Sequence, residues 1–134
     1  MLVAGALLLG IHGILFYACL PRRLPSAADW SAAAAHLARE GRAGDAVVLD
    51  PWWAERARQV LPGWLAIVAL PRVREDDLGS ARRAWLLALP RAPGRRSDVP
   101  GDLAARAVAI DPPRSFGRIE LTLHHLRAPI VPPP

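Results

Sequence analysis

The stretch that most constrains the fold is Gly44–Asp50, Gly-Asp-Ala-Val-Val-Leu-Asp, followed at once by Pro51-Trp52-Trp53. A short β-branched and apolar run, preceded by turn residues, reads as an inner strand. Asp50-Pro51 then reads as the N-cap and first residue of a following helix, because aspartate accepts from free N–H groups and proline lacks one. Strand followed by helix is the opening unit of an α/β sheet.

Two further apolar runs repeat the pattern. Trp64–Leu70 and Ala84–Leu89 are continuous rather than alternating. Strands without a polar face fit a sheet covered on both sides, so a parallel arrangement with crossover helices is expected. All three runs break at a proline, Pro51, Pro71 and Pro90.

The intervening segments supply helices. Ser26-Ala-Ala-Asp29 is a capping box, and Trp30, Ala33, Ala34, Leu37 and Ala38 then form one apolar stripe that ends near Gly41. His36 beside it reads as a helix-surface histidine. After Pro51, the residues Trp53, Ala57, Val60 and Leu61 give a second helix a buried face, closed by Pro62-Gly63. Glu75-Asp76-Asp77 caps a short helix extending to Arg83, since a helix N-terminus stabilises carboxylates. Pro90–Gly101 reads as an exposed loop and Asp102–Ile110 as a short helix running into a strand. Arg118–His125 alternates Ile119, Leu121 and Leu123 with Glu120, Thr122 and His124, which suits an antiparallel edge strand with one wet face.

At the N-terminus, Met1–Leu20 carries no charge, and about twenty apolar residues suffice for a helix to cross a bilayer. A transmembrane helix over residues 1–21 is expected, then an α/β extramembrane domain over 26–127 and a proline-rich tail over 128–134. No basic region precedes the apolar run, which argues against a cleaved signal peptide. Phe16-Tyr17-Ala18-Cys19 matches a lipidation site only in its last two residues. Arg22 and Arg23 after the span would hold the soluble part in the cytoplasm if Met1 is the start. The expected fold class is therefore α/β, a small three-layer sheet, mostly parallel with an antiparallel edge strand, preceded by one transmembrane helix.

Composition excludes several chemistries. All seventeen basic residues are arginine, so phosphate loops and Schiff-base sites that need lysine are absent. A net charge of +5 without any recognition motif does not indicate nucleic acid, and the arginine excess accompanies an Ala- and Pro-rich composition. Cys19 is the only cysteine, which removes thiolate metal sites and intrachain disulfides. Ser80 follows Gly79, but the Gly-x-Ser-x-Gly elbow is missing, as is Gly-x-Gly-x-x-Gly. Glu75, Asp76 and Asp77 with His124 and His125 match no metal-binding spacing and read as helix capping and an edge-strand pair.

Ligands of open α/β sheets lie beyond the carboxyl ends of the strands. Those ends gather Asp50, Trp52 and Trp53 from the first strand, Arg72 and Arg74 from the second, and Arg91, Arg95 and Arg96 from the third. Guanidinium groups bind phosphate and tryptophan stacks on sugar rings, so Asp50, Trp52, Trp53, Arg72, Arg74 and Arg91 form a candidate binding rim. Its ligand would be a phosphorylated or lipid-linked saccharide, or anionic lipid head groups. The plainer alternative is that exposed loops of a lysine-free protein carry arginine anyway.

The pattern Asp29-Trp30-x-x-Ala33-Ala34-x-x-Leu37, then Gly44-Asp45-x-Val47-Val48, after a terminal apolar span, resembles a known arrangement. It is similar to the C-terminal extramembrane part of bacterial multi-spanning glycosyltransferases of the protein O-mannosyltransferase and aminoarabinose transferase type. Arg83-Ala84-Trp85-Leu86-Leu87 and Phe116–Leu123 resemble later strands of that domain. The resemblance implies that the α/β part lies in the periplasm, opposite to the charge rule, in a system that transfers sugar from a polyprenyl-phosphate donor; with its one apolar run the chain itself reads as a single-pass inner-membrane protein, either a truncated tail or a stand-alone relative of the soluble domain. The catalytic acids of that family follow the first of many spans and have no counterpart here. No residue is therefore assigned a catalytic role, and neither cofactor nor metal is expected. The expected role is that of a non-catalytic accessory or substrate-shaping domain, with the membrane and a multi-spanning protein as partners. A tethered protein-interaction domain and a small independent enzyme are the alternatives.

Overall fold

The computed structural model describes residues 24–91 and 96–127. The span expected over Met1–Leu20, the tail over 128–134 and Arg95 lie outside the described residues. Among the described residues no helix is long and apolar enough to cross a membrane.

Helix α1 (Ala27–Glu40) opens on the expected capping box. The Asp29 N–H donates to Ser26 Oγ at 3.1 Å, and the Ser26 N–H donates to Asp29 Oδ2 at 2.9 Å. Its buried face is Trp30, Ala33, His36 and Leu37, so His36 belongs to the interior rather than to the helix surface. At Gly41 the chain leaves the helix with the Trp64 ring 2.8 Å from where a Cβ would stand, so only glycine fits.

Strand β1 (Ala46–Asp50) is buried at every residue. The chain continues through α2 (Arg56–Val60), β2 (Ala66–Val68), the single turn α3 (Glu75–Leu78), β3 (Arg83–Ala88), α4 (Val99–Ala104), β4 (Ala107–Ile110), β5 (Arg114–Phe116) and β6 (Ile119–Leu126). The strand order is β2-β1-β3-β6-β4, with β5 also paired to β6.

Side chains alternate across a strand, and here both faces are covered. On one face Val47, Leu49, Trp85, Leu87 and Leu121 pack with Trp30 and Leu37 of α1 and Ala57 of α2. On the other, Val48, Ala84 and Leu86 pack with Leu78 of α3 and with Val99 and Leu103 of α4. This is a mixed α/β sheet between two helical layers, and each fully buried leucine or valine contributes about 1.5–3 kcal/mol.

Several expectations need correction. The sheet is not mostly parallel: β1 pairs in parallel with β2 and β3, whereas β3–β6, β4–β6 and β5–β6 are antiparallel. The strand over 118–125 is not at the edge. It lies between β3 and β4, with only the Glu120 end of its polar face exposed while His124 is buried. Asp50-Pro51 does not begin a helix. A turn, with the Ala54 N–H donating to the Pro51 carbonyl at 3.1 Å, precedes α2, whose N-cap is Glu55.

Trp53 is consequently half exposed, and Ala54 takes the buried position expected of it. β2 is shorter than its apolar run because it is the edge strand, leaving Trp64 and Leu70 exposed. The helix at Glu75 stops at Leu78 instead of reaching Arg83, which begins β3. The loop over 90–101 becomes helical at Val99, whose side chain is buried.

Candidate functional site

β1 has β2 on one side and β3 on the other, with α2 on one face of the sheet and α3 on the opposite face. Connections that leave a strand pair in opposite directions open a crevice at the carboxyl ends. That crevice lies where β1 and β3 finish.

Asp50, the last residue of β1, is 1% exposed. Its carbonyl accepts from the Leu89 N–H at 2.8 Å, holding the exit of β3 against it. Its carboxylate accepts from Arg91 Nη2, which explains why it caps no helix. A buried aspartate persists because a guanidinium neutralises it, and the Arg91 side chain remains 40% exposed on its outer side.

Beside this pair is an open cleft of about 510 Å³, lined by Leu89, Arg91, Ser115, Arg118 and Glu120 among others. The β5–β6 hairpin builds its far wall. Phe116 pairs with Ile119, and Gly117 makes the turn at a φ of +57°. Because β6 runs antiparallel to β3 and Glu120 stands opposite Ala88, the start of β6 meets the end of β3. The Arg118 N–H donates to Asp29 Oδ2 at 3.4 Å, tying this turn to the first turn of α1. Two guanidinium groups, one hydroxyl and one carboxylate thus line a single depression. Among the described residues no carboxylate lies within 4 Å of the Arg118 guanidinium. A cationic group and a neighbouring acceptor suit a phosphate attached to a hydroxyl-bearing group better than a bare polyphosphate.

The six candidate residues separate. Asp50 and Arg91 meet as described. Trp52 and Trp53 stand on the loop that follows β1, with 46% and 51% exposure. Arg72 does not belong to the cleft. Its Nε and Nη2 grip Asp102 at 2.9 and 3.1 Å, and its Nη1 lies 3.3 Å from Asp98, fastening the exit of β2 to α4. That fork, together with the Val73 N–H, holds the Asp102 carboxyl below the usual carboxylate range. Arg74 is exposed and its backbone is engaged with Asp77, its N–H donating to Asp77 Oδ2 at 2.7 Å and its carbonyl accepting from the Asp77 N–H at 3.2 Å. Arg96 is exposed.

Arg118, Ser115 and Glu120 are the residues that sequence reasoning missed. Gly117, between the polar Ser115 and Arg118, is the one local signal of a turn, which the strand reading of Arg118–His125 passed over, and placing it at the end of β3 required the register of β6.

Ser115 has neither histidine nor cysteine beside it in the cleft wall, so the lining holds no base-activated serine, and Glu120 is its one carboxylate. Among the described residues no group of three or more His, Cys, Asp or Glu could hold a metal ion. The two histidines of β6 point to opposite faces. His124 Nδ1 lies 3.3 Å from the Thr122 carbonyl, and His125 Nε2 lies 3.1 Å from Asp111. Burial pushes the His124 pKa down. No protein-family model, curated protein or solved structure matches the chain.

Proposed function

We propose that this chain is a membrane-anchored, non-catalytic domain that holds the phosphate and first sugar of a polyprenyl-phosphate-linked saccharide in the cleft at the end of β1 and β3. The observation that carries the reading is the joint lining by Arg91, Arg118 and Ser115, with the exposed indoles of Trp52 and Trp53 on the loop that leaves β1. Arg118 is the guanidinium free to grip phosphate, Arg91 is fixed on its inner side by Asp50, and Ser115 and Glu120 offer hydroxyl and carboxylate partners to a sugar. The resemblance of Asp29-Trp30 and Gly44-Asp45-x-Val47-Val48 to the soluble part of polyprenyl-phosphate-dependent glycosyltransferases supports the same ligand class. In this reading the domain lies on the periplasmic face of the inner membrane and presents the donor to a multi-spanning partner that performs the transfer. The role is accessory because, in the family the chain resembles, the catalytic acids belong to the multi-spanning part.

Titration of the full chain in detergent with a short-chain polyprenyl-phosphate hexose tests the proposal. Saturable binding is expected, weakened about tenfold in Arg118→Ala, the usual effect of losing one ionic hydrogen bond. Absence of saturation at millimolar ligand would sink it.

A further inference from the structure

The cleft end of the sheet differs from the opposite end in three respects that together identify what covers it. First, the chain arrives there. Asp29, in the first turn of α1, touches the Gly117–Arg118 turn at the cleft wall, so α1 starts at the carboxyl ends of β1 and β3 and runs away from them. Its far end, Glu40, accepts from Arg83 at the beginning of β3. Only the six residues from Pro21 to Ser26 separate the apolar run Met1–Leu20 from this end, a reach of at most about 20 Å.

Second, the same end exposes large apolar side chains. Trp52 and Trp53 follow β1, Leu70 follows β2 and Leu24 precedes α1; their exposures are 46%, 51%, 38% and 53%. Indoles with an apolar body and a polar N–H favour the boundary between hydrocarbon and water.

Third, the same end carries the cations Arg74, Arg91 and Arg118, which complement phosphate head groups. The opposite end exposes the single indole of Trp64, at 49%, just before β2. Arg83 there lies 3.4 Å from the buried Asp45, and its charge is spent inside the protein.

We infer that the carboxyl-end rim, Trp52, Trp53, Leu70 and Leu24 with Arg74, Arg91 and Arg118, rests on the surface of a lipid bilayer, so that the cleft opens toward the membrane. This rests on the membrane attachment in the proposed function but not on its ligand. The indoles sit at the level of the head groups, and the guanidiniums pair with lipid phosphates around the cleft mouth. A lipid-linked phosphate would enter without leaving the interface.

The test uses full chain reconstituted in vesicles of three parts brominated phosphatidylcholine to one part phosphatidylglycerol, with no polyprenyl phosphate present. Bromine quenches tryptophan only at contact depth. Quenching is expected in the wild type, retained in Trp64→Phe, and cut at least about twofold in Trp52→Phe/Trp53→Phe, because those two indoles are the ones placed in the interface. Arg74→Glu with Arg118→Glu is expected to reduce quenching as well. Equal quenching in wild type and the Trp52/Trp53 double variant, or loss in Trp64→Phe instead, overturns the inference. Unchanged quenching after the charge reversal removes the pairing with head groups. Failure of the sugar titration leaves all of these outcomes unaffected, so the two readings fail separately.

Discussion

Trp85 Nε1 donates to Asp45 Oδ2 at 3.0 Å, joining the middle helix-facing side of β3 to the turn that leads into β1. The same carboxylate oxygen accepts from the Arg42 N–H at 3.0 Å and faces Arg83 Nη2 at 3.4 Å. Gly44, at a φ of +89°, makes the turn that points Asp45 inward. The Gly-Asp-x-Val-Val sequence is therefore a turn, a buried anchor and a strand in succession. Removing the anchor leaves the buried indole N–H without its acceptor and the largely buried Arg83 guanidinium without its counter-charge, with only the Glu40 carbonyl still accepting from it. Asp45→Ala is expected to destabilise the domain by about 3 kcal/mol, read from the urea midpoint followed by tryptophan fluorescence. A loss below about 1 kcal/mol would show that water replaces the carboxylate at little cost.

Gly117 offers a second test. Its φ of +57° disfavours any side chain, and a Cβ there would collide with the Asp29 carboxylate. Gly117→Ala should cost about 1–3 kcal/mol and displace Arg118, weakening ligand binding as well as stability. Gly63, with no neighbour within 4 Å of an added Cβ and no positive φ, is the control. Gly63→Ala should leave both the denaturation midpoint and ligand binding unchanged.

Acid should destabilise the fold in two stages. His36 lies in the interior with its ring 5.6 Å from Trp85 and 5.1 Å from Phe116, and its Nδ1 is 3.2 Å from Arg39 Nη2. Since the guanidinium can only donate, His36 is neutral with its proton on Nε2. Burial, Arg114 and Arg39 push its pKa below 6.5, opposed by Glu40; burial likewise lowers His124, aided by His125 and opposed by the Thr122 carbonyl. A histidine with a depressed folded pKa takes up protons more readily when unfolded. The stability it contributes is thus complete above about pH 6.5 and declines as pH falls toward the folded pKa. Urea midpoints measured from about pH 7 to 5 should fall, and less steeply in His36→Leu/His124→Leu. Further down, Asp29, held low by the Ser26 N–H and hydroxyl, and Asp102, held low by Arg72, should produce a second decline below the ordinary carboxylate range. Equal slopes in the wild type and the double histidine variant would dismiss the first stage.

Local order was largely legible in the sequence, and long-range pairing was not. Val47, Val48 and Leu49 announced an inner strand because burial on both faces removes the polar alternation. Ser26 and Asp29 announced the start of α1 because a capping box is complete within four residues. Asp50-Pro51 misled because the dipeptide is the same whether the carboxylate caps the next helix or pairs with Arg91, 41 residues on. Glu120-Leu-Thr-Leu-His alternates at an edge and also in an interior strand whose second face is only partly covered, so β6 was misplaced. His36 falls in register with Trp30 and Ala33 on α1, but its polarity suggested a surface position that Trp85 and Phe116 override. For the candidate site, the meeting of Asp50 with Arg91 was legible because both lie at strand ends. Arg118 and Ser115 reach the cleft only through the antiparallel return of β6, a contact that no local pattern encodes.

Arg72 and Arg118 should therefore respond oppositely to removal, although both are exposed arginines near strand ends. Arg72 grips Asp102 through two parallel bonds and lies 3.3 Å from Asp98, so two carboxylates already neutralise its charge although the side chain stays 65% exposed. Arg72→Ala should detach the exit of β2 from α4 and lower the urea midpoint, with the affinity for polyprenyl-phosphate hexose unchanged. Arg118 contributes no ion pair to the described fold and lines the cleft. Arg118→Ala should leave the midpoint within about 0.5 kcal/mol of the wild type while weakening the ligand about tenfold. Arg72→Lys is a further discriminator, because an ammonium cannot reproduce the two-pronged grip and should lower the midpoint as well. If Arg72→Ala abolished binding while the midpoint held, the phosphate site would have to be moved from the β5–β6 turn to the β2–α4 junction.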